Sequence, residues 1–177
     1  GHPTIEVPGI EVNTGALGHG LSIGVGMALA AKMNHQSYKT YVLMGDGEQG
    51  EGSIYEAAMA ANQYKLDNLV AIIDRNRLQI SGTTEEVMAI EDIYQRWTAL
   101  GWDVKHMHGD DIEDLVHCFS EIDFESKRPH LLISHTTKGK GVSYMENVTK
   151  WHHGVPNQEE FDLAIKEISE RIATLEK

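Results

Sequence analysis

The chain has 177 residues, 41% hydrophobic and 24% charged, which suits one globular domain with a full core. Its formal net charge is −12 with lysine and arginine dispersed, so it lacks the basic stripe that would mark a partner as nucleic acid or an anionic membrane. Cys118 is the only cysteine, which excludes an intramolecular disulfide and points to a reducing, cytoplasmic setting.

In chain order, Gly1–Gly18 reads as irregular, and a start at glycine rather than methionine leads us to expect a missing upstream segment. The weakly polar run Leu21–Ala31 is too short and too glycine-rich to span a bilayer, and no basic region precedes it as in a signal peptide. The surrounding "GLSIGVGMALAAKM" carries small and aliphatic residues suited to close helix packing, and an apolar interface is expected there. Four aliphatic or β-branched runs read as buried parallel strands: Thr40–Met44, Asn68–Asp74, Trp102–Met107 and His130–His135. Between them lie helical patterns. Ser53–Tyr64 is rich in alanine, Ile90–Leu100 spaces Ile93, Trp97 and Leu100, and Ile112–Ile122 sets Ile112, Leu115, Val116, Phe119 and Ile122 on one face. A last helix, Gln158–Leu175, repeats Phe161, Leu163, Ile165, Ile168, Ile172 and Leu175 between charges, with Asn157 as its cap. Gln79–Ala89 and Lys138–Pro156 read as irregular. The alternation predicts an α/β fold with a parallel sheet, whose ligands sit beyond the carboxyl ends of the strands. "GDGE", "DRNRL" and "HTTKGKG" all fall at such ends.

Residues Gly45–Gly50 spell G-x-G-x-x-G between a strand and a helix, the spelling of a dinucleotide turn, and Asp74 ends the next strand where a ribose-binding acid belongs. Asp46 and Glu48 oppose that reading. A carboxylate about 4 Å from a phosphate charge costs about 4 kcal/mol at an effective dielectric near 20. A divalent cation reverses the sign, because Mg²⁺ takes hard oxygen ligands and few protein carboxylates. Asn76, about thirty residues on, offers a neutral amide oxygen as a second ligand. An EF-hand loop from Asp46 is excluded, since Glu51 stands where its glycine must be. Asp46 and Asn76 also read as plain turn formers.

Other groups are less specific. His106 and His108 alternate on a strand as a metal pair or as structural residues, and without a third ligand the structural reading is preferred. Lys138 and Lys140 suit a phosphate loop or a solvated one, the methionines read as core filler, and Asp110, Asp111, Glu113 and Asp114 suit a helix start.

"GDGE" followed by "DRNRLQISG" resembles the thiamine-diphosphate motif. With "GHPTIEVPGIEVNTGALGHG", "TTKGKGVSYMEN" and "WHHGVPN", the whole chain resembles the N-terminal, diphosphate-binding domain of transketolase, closest to the split form in which this half is a separate polypeptide. The resemblance implies a three-layer α-β-α fold with a mainly parallel sheet. It makes residues 1–177 a single diphosphate-binding domain, truncated N-terminally relative to the family. It implies thiamine diphosphate with Mg²⁺ or Ca²⁺, held by Asp46, Asn76 and the Leu78 carbonyl. Gly47 and the GDGE turn, including Glu48, would meet the diphosphate; Gly15, Leu17 and Ile80 would meet the rings. Ala16 stands where the family often has proline. His19 stands where glutamine is common, and it receives no role. His2 and His153 are matched to substrate-contacting histidines, with His152 the competitor of His153, and Glu51 to an interface glutamate linked to cofactor activation. Those three make the implied catalytic set.

The activity implied is transfer of a two-carbon ketol unit from a ketose phosphate to an aldose phosphate, in the pentose phosphate pathway. It would require a C-terminal pyrimidine-binding subunit or domain in a homo- or hetero-oligomer. Three alternatives stand beside it. One is another thiamine-diphosphate enzyme, 1-deoxyxylulose-phosphate synthase-like or sulfosugar-specific; one is a non-catalytic partner-binding subunit; the most distant is a nicotinamide-dependent oxidoreductase.

Overall fold

The computed structural model describes residues 2–175. Helix α1, His19–Met33, leads into strand β1, Thr40–Gly45, a 3-10 turn at Gly47–Gly50 and helix α2, Gly52–Gln63. Strand β2, Leu69–Arg75, is followed by the two-residue strands β3, Leu78–Gln79, and β4, Gly82–Thr83, and by the short helix α3, Thr84–Val87. Helix α4, Ile93–Ala99, strand β5, Asp103–His108, helix α5, Ile112–Ser120, and strand β6, His130–His135, come next. A 3-10 turn at Thr149–His152 and helix α6, Gln158–Leu175, complete the chain.

The main sheet is parallel throughout, in the order β1-β2-β6-β5, so β1 and β5 are its edges. Alternation divides its side chains between two layers. Val42, Met44, Ala71, Ile73, Val104, Leu131 and Ile133 face α1, α2 and α4, forming a core with Leu21, Ala28, Ile54, Trp97 and Trp102. Val70, Met107 and Leu132 face the other way and pack with Cys118 and Ile122 at α5. This is the three-layer arrangement expected. The four strands fall within a residue of their expected limits. Gly24 lets α1 lie close on the sheet, since a Cβ there would come within 2.4 Å of Val42 Cγ2. Of the small residues of α1, Gly24, Ala28 and Ala31 are buried inside the domain, while Ser22 and Gly26 are exposed beside Ile23.

Several boundaries differ from expectation for identifiable reasons. The Ile90–Leu100 helix begins only at Ile93, because the Asp92 carboxylate accepts the Gln95 N–H at 3.2 Å and caps it there. Residues 79–89 are not irregular. They hold the β3–β4 hairpin and α3, whose capping box pairs Thr83 with Glu86. The expected apolar face of α5 is split: Phe119 and Leu115 pack against the α5-side core, while Ile112 and Val116 are 73% and 66% exposed. Asn157 caps α6 as expected, accepting the Glu160 N–H at 2.9 Å while Glu160 Oε2 accepts the Asn157 N–H at 2.8 Å. The apolar repeat of α6 nevertheless faces outward, and Ala164 is its one buried residue among those described.

Candidate functional site

The carboxyl ends of β1 and β2 bring the sequence-expected residues to one edge of the sheet. Asp46 follows β1 directly and is only 2% exposed. Its Oδ2 accepts the Arg77 N–H at 2.6 Å and an Arg75 N–H at 3.2 Å, and its Oδ1 accepts the Gly47 N–H at 2.8 Å. Since Arg77 follows Asn76, these bonds bring the β2 loop onto the GDG turn. An ionised carboxylate offers about four lone-pair positions; three are taken, leaving one on Oδ1. Asn76 Oδ1 accepts the Leu78 N–H at 3.0 Å, which fixes the amide's direction and leaves it a second lone pair.

Glu48 resolves the acidity of the turn. Its Oε1 accepts the Gly18 N–H at 2.8 Å and its Oε2 the Gly45 N–H at 3.0 Å. The carboxylate thus ties the first glycine of the turn to Gly18 in the loop before α1, and its charge is spent on backbone amides. Asp74 is engaged as well, by the Thr136 hydroxyl. The turn is further anchored by Gln49, buried, whose Oε1 accepts the Trp97 indole N–H at 3.2 Å and whose Nε2 donates to the Gly45 carbonyl at 3.2 Å. Ser53 closes the clasp from α2, its hydroxyl donating to the Gly18 carbonyl at 2.9 Å.

The residue that sequence reasoning missed is Arg75. Its side chain is 1% exposed and meets carboxylates from three segments: Asp46 at 3.2 Å, Glu85 at 3.2 Å and Glu91 at 2.5 Å. It also donates to Thr84 Oγ1 at 2.8 Å. Burial alone would depress its pKa, but hydrogen bonds to Glu91 and Asp46 outweigh that and hold it above its ordinary value. Glu91 moves the other way: burial would raise it, and the bonds from Arg75 and the Ile93 N–H carry it below the usual range. The only hint in the sequence is a basic residue inside "DRN", at the end of a strand otherwise built of aliphatic residues.

The remaining expected residues lie on the exposed rim. Leu17 and Ile80 are exposed apolar side chains. Gln79 packs on the turn, its Oε1 lying 2.9 Å from where a Cβ at Gly47 would be, so a side chain at that position would displace Gln79. His2 is exposed, and its ring would lie 3.3 Å from a Cβ at Gly15, whose φ of +141° itself favours glycine. Glu51 is exposed at the start of α2, where its side chain makes no capping bond, and its Cβ crowds Gly18. His152 and His153 are both exposed, with ring centroids 5.7 Å apart, and the turn that carries His152 packs against β3. His152 has a lowered pKa, from burial and then from Lys138 and His153. A cavity of about 780 Å³ lies elsewhere, between the N-terminal loop, α1 and β1, with Ile10, Ile23, Met27 and Tyr41 in its walls.

The donor set fits a hard divalent cation. One carboxylate lone pair, one amide oxygen and a neighbouring backbone carbonyl suit an ion that completes its shell with phosphate oxygens and water. A closed protein cage is not the pattern: no group of three His, Cys, Asp or Glu side chains is placed to hold a metal among the described residues.

A parallel sheet covered on both faces, with a glycine turn and a buried carboxylate at its strand ends, defines an α/β domain that binds its ligand at the carboxyl edge. Residues 1–170 match the family described as "Transketolase, thiamine diphosphate binding domain". The chain is 76% identical over all 177 residues to an apulose-4-phosphate transketolase subunit of Phocaeicola vulgatus, covering 63% of that protein. It is 47% identical over 171 residues, 96% of this chain, to the protein of the same name from Actinobacillus succinogenes, covering 62% of it. Among solved structures, transketolase from Campylobacter jejuni superposes with a TM-score of 0.86 at 34% identity, over 95% of this chain and 27% of that one. The chain belongs to the transketolase thiamine-diphosphate-binding domain family. It spans a little under two thirds of the length of the two named subunits.

Proposed function

We propose that this chain is the diphosphate-binding part of a split, thiamine-diphosphate-dependent transketolase that moves a two-carbon ketol unit between phosphorylated sugars. The observation that carries it is the Asp46 carboxylate, buried and fixed by three donors with one lone pair left beside the Asn76–Leu78 loop. In this reading Asp46, Asn76 and the Leu78 carbonyl hold Mg²⁺ or Ca²⁺. Gly47 would meet the diphosphate through its backbone at the turn, with Gln79 packed where a side chain would otherwise stand. Leu17 and Ile80, already apolar and solvent-facing, cover the rings together with the Gly15 backbone, against which the His2 ring packs. The cofactor, when bound, supplies the electron sink for carbon–carbon bond cleavage and formation.

The other residues work on the sugar. His2 and His153, on loops at the strand-end rim, hold hydroxyl or phosphate oxygens and move a proton at a hydroxyl oxygen, work that imidazoles do near neutral pH. Glu48 keeps its structural clasp and orients the turn rather than touching the diphosphate. Glu51 faces outward from the start of α2, where a partner subunit carrying the pyrimidine-binding half would meet it. The word "subunit" in both relatives' names supports such a partner, and the lone Cys118 suits our placing of the assembly in the cytoplasm. The same names support apulose 4-phosphate as the sugar, in place of the ketose phosphates of the pentose phosphate pathway.

The test uses the chain with its pyrimidine-binding subunit. Calorimetry should detect thiamine diphosphate binding with Mg²⁺ or Ca²⁺, and lose it in chelator and in Asp46→Ala. Ketol transfer should appear only with both subunits present and be faster with apulose 4-phosphate than with a ketose phosphate of the pentose phosphate pathway. Metal-independent binding of equal affinity would overturn the site assignment, and full transfer by this chain alone would overturn the split reading.

A further inference from the structure

A second cluster stands at the same end of the sheet, on β5 and β6. Alternate residues of a strand share a face, so His106 and His108 lie on the side of β5 that carries Val104 and faces α4. The pairing sets His108 opposite His135 and His106 opposite Ile133. His135 shares the α4-facing side with Leu131 and Ile133. A further imidazole thus reaches the His106–x–His108 pair from β6, 27 positions beyond His108 in the chain.

The rings are already in contact. His106 Nδ1 and His135 Nε2 are 2.8 Å apart. Their planes lie within 19° of parallel at a centroid distance of 5.1 Å. Tyr94 of α4 also stacks on His106, at 5.4 Å and 11°, which restrains that ring. Two imidazole nitrogens bound to one tetrahedral metal at about 2.05 Å stand about 3.3 Å apart, so the pair needs to open by about half an ångström.

We propose that His106 Nδ1 and His135 Nε2 bind a borderline divalent cation of the zinc and copper class. The proton shared across the contact passes to the far nitrogen of its own ring, so both facing nitrogens present lone pairs and no proton is released. Imidazole suits Zn²⁺ and Cu²⁺, whereas Mg²⁺ prefers oxygen, so this site is chemically separate from the Asp46 loop. The site is open, with water completing the shell and His108 the adjoining imidazole, because no third protein ligand is already converged among the described residues.

The surroundings set its strength. Arg75 stands opposite His135 in the β2–β6 register, with Arg77 two residues on, and both add positive charge near the site. Of the two arginines, Arg75 already carries three carboxylate partners, so its field is largely neutralised locally. Asp114 adds negative charge at the end of β5, accepting the His108 N–H at 2.6 Å.

The experiment is calorimetric titration of the full chain with Zn²⁺, in excess Mg²⁺ so that hard-oxygen sites do not contribute. One equivalent should bind per chain. His106→Gln and His135→Gln should each weaken it roughly tenfold or more, in line with the sensitivity of metal sites to their immediate partners. His106 is exposed, so its variant should retain the circular dichroism and melting temperature of the parent even if His135→Gln does not. Zn²⁺ affinity unchanged in His106→Gln, or displacement of Zn²⁺ by Mg²⁺, would overturn the proposal.

Discussion

Arg75 sits 29 residues from Asp46, 10 from Glu85 and 16 from Glu91, yet one guanidinium joins all three. Removing it would leave Asp46 buried with its charge uncompensated. Breaking a buried pair from one side costs about 3–5 kcal/mol, because the orphaned charge keeps its desolvation penalty. For a domain of this size each kcal/mol moves the melting temperature by about 2–4 °C. Arg75→Met should therefore melt about 6–20 °C below the parent by differential scanning calorimetry. Arg75→Lys should recover only part of the loss, since an ammonium cannot reproduce the planar fork. A variant melting within a degree or two of the parent would show that the cluster contributes little. The position of Arg75 was not legible in the chain: its partners come from the turn after β1, from α3 and from the loop before α4, and no local spacing brings those together.

At the level of elements, most of the sheet was legible because its central strands are buried on both faces, its edge strands on one, and all read as short apolar runs. The helix limits were less so. Asp92 ended one periodic pattern early by capping, and the Thr83–Glu86 box created a helix inside a segment that reads as loop. The stripe on α5 was visible, but whether a second layer covers all of it is a tertiary fact. The role of Glu48 was hidden for the same reason, since one of its two bonds reaches Gly18, thirty positions back. The α1–β1 contact gives the clearest test at this scale. Gly24→Ala gains about 1 kcal/mol of helix propensity. It also drives a methyl into Val42 Cγ2 at 2.4 Å, and valine has little rotamer freedom with which to yield. Overpacking of this kind costs about 1–3 kcal/mol. The single variant should be destabilised in urea, and Val42→Ala added to it should restore stability relative to Val42→Ala alone. Additive losses would mean that α1 shifts freely on the sheet.

For the whole molecule, His130 and His135 lead the response to mild acid, and His152 adds to it with the same sign. His130 is buried, and burial outweighs the attraction of Asp103 to hold its pKa below the ordinary value; His135 is lowered likewise by burial and its basic neighbours. The unfolded chain, with imidazoles titrating near 6.5, then binds more protons than the folded one below that pH. Stability is fully present above about pH 6.5 and is lost as pH falls from there through the folded values. Glu91, with its depressed pKa, adds a further loss only below the ordinary glutamate range. Melting temperature should hold level from pH 8 to 7, fall toward pH 5.5, and fall less steeply in His130→Gln. A flat profile over that interval would contradict the burial argument. Charge also bears on assembly: a net −12 keeps chains apart, while the outward stripe of α6 and the bare Ile112 and Val116 draw apolar partners in.

The strand order has one more consequence. With β1 at the margin of the sheet and no further strand beside it among the described residues, one side of its main chain offers donors and acceptors to whatever extended segment arrives. Tyr41 and Leu43, both exposed, give such a visitor an oily landing beside those groups. A partner that lays chain along this border would be recruited by main-chain pairing with little regard to its side chains. Without one, the same border is a template for fibrous growth, so recovery of the native fold after heating should worsen as protein concentration rises.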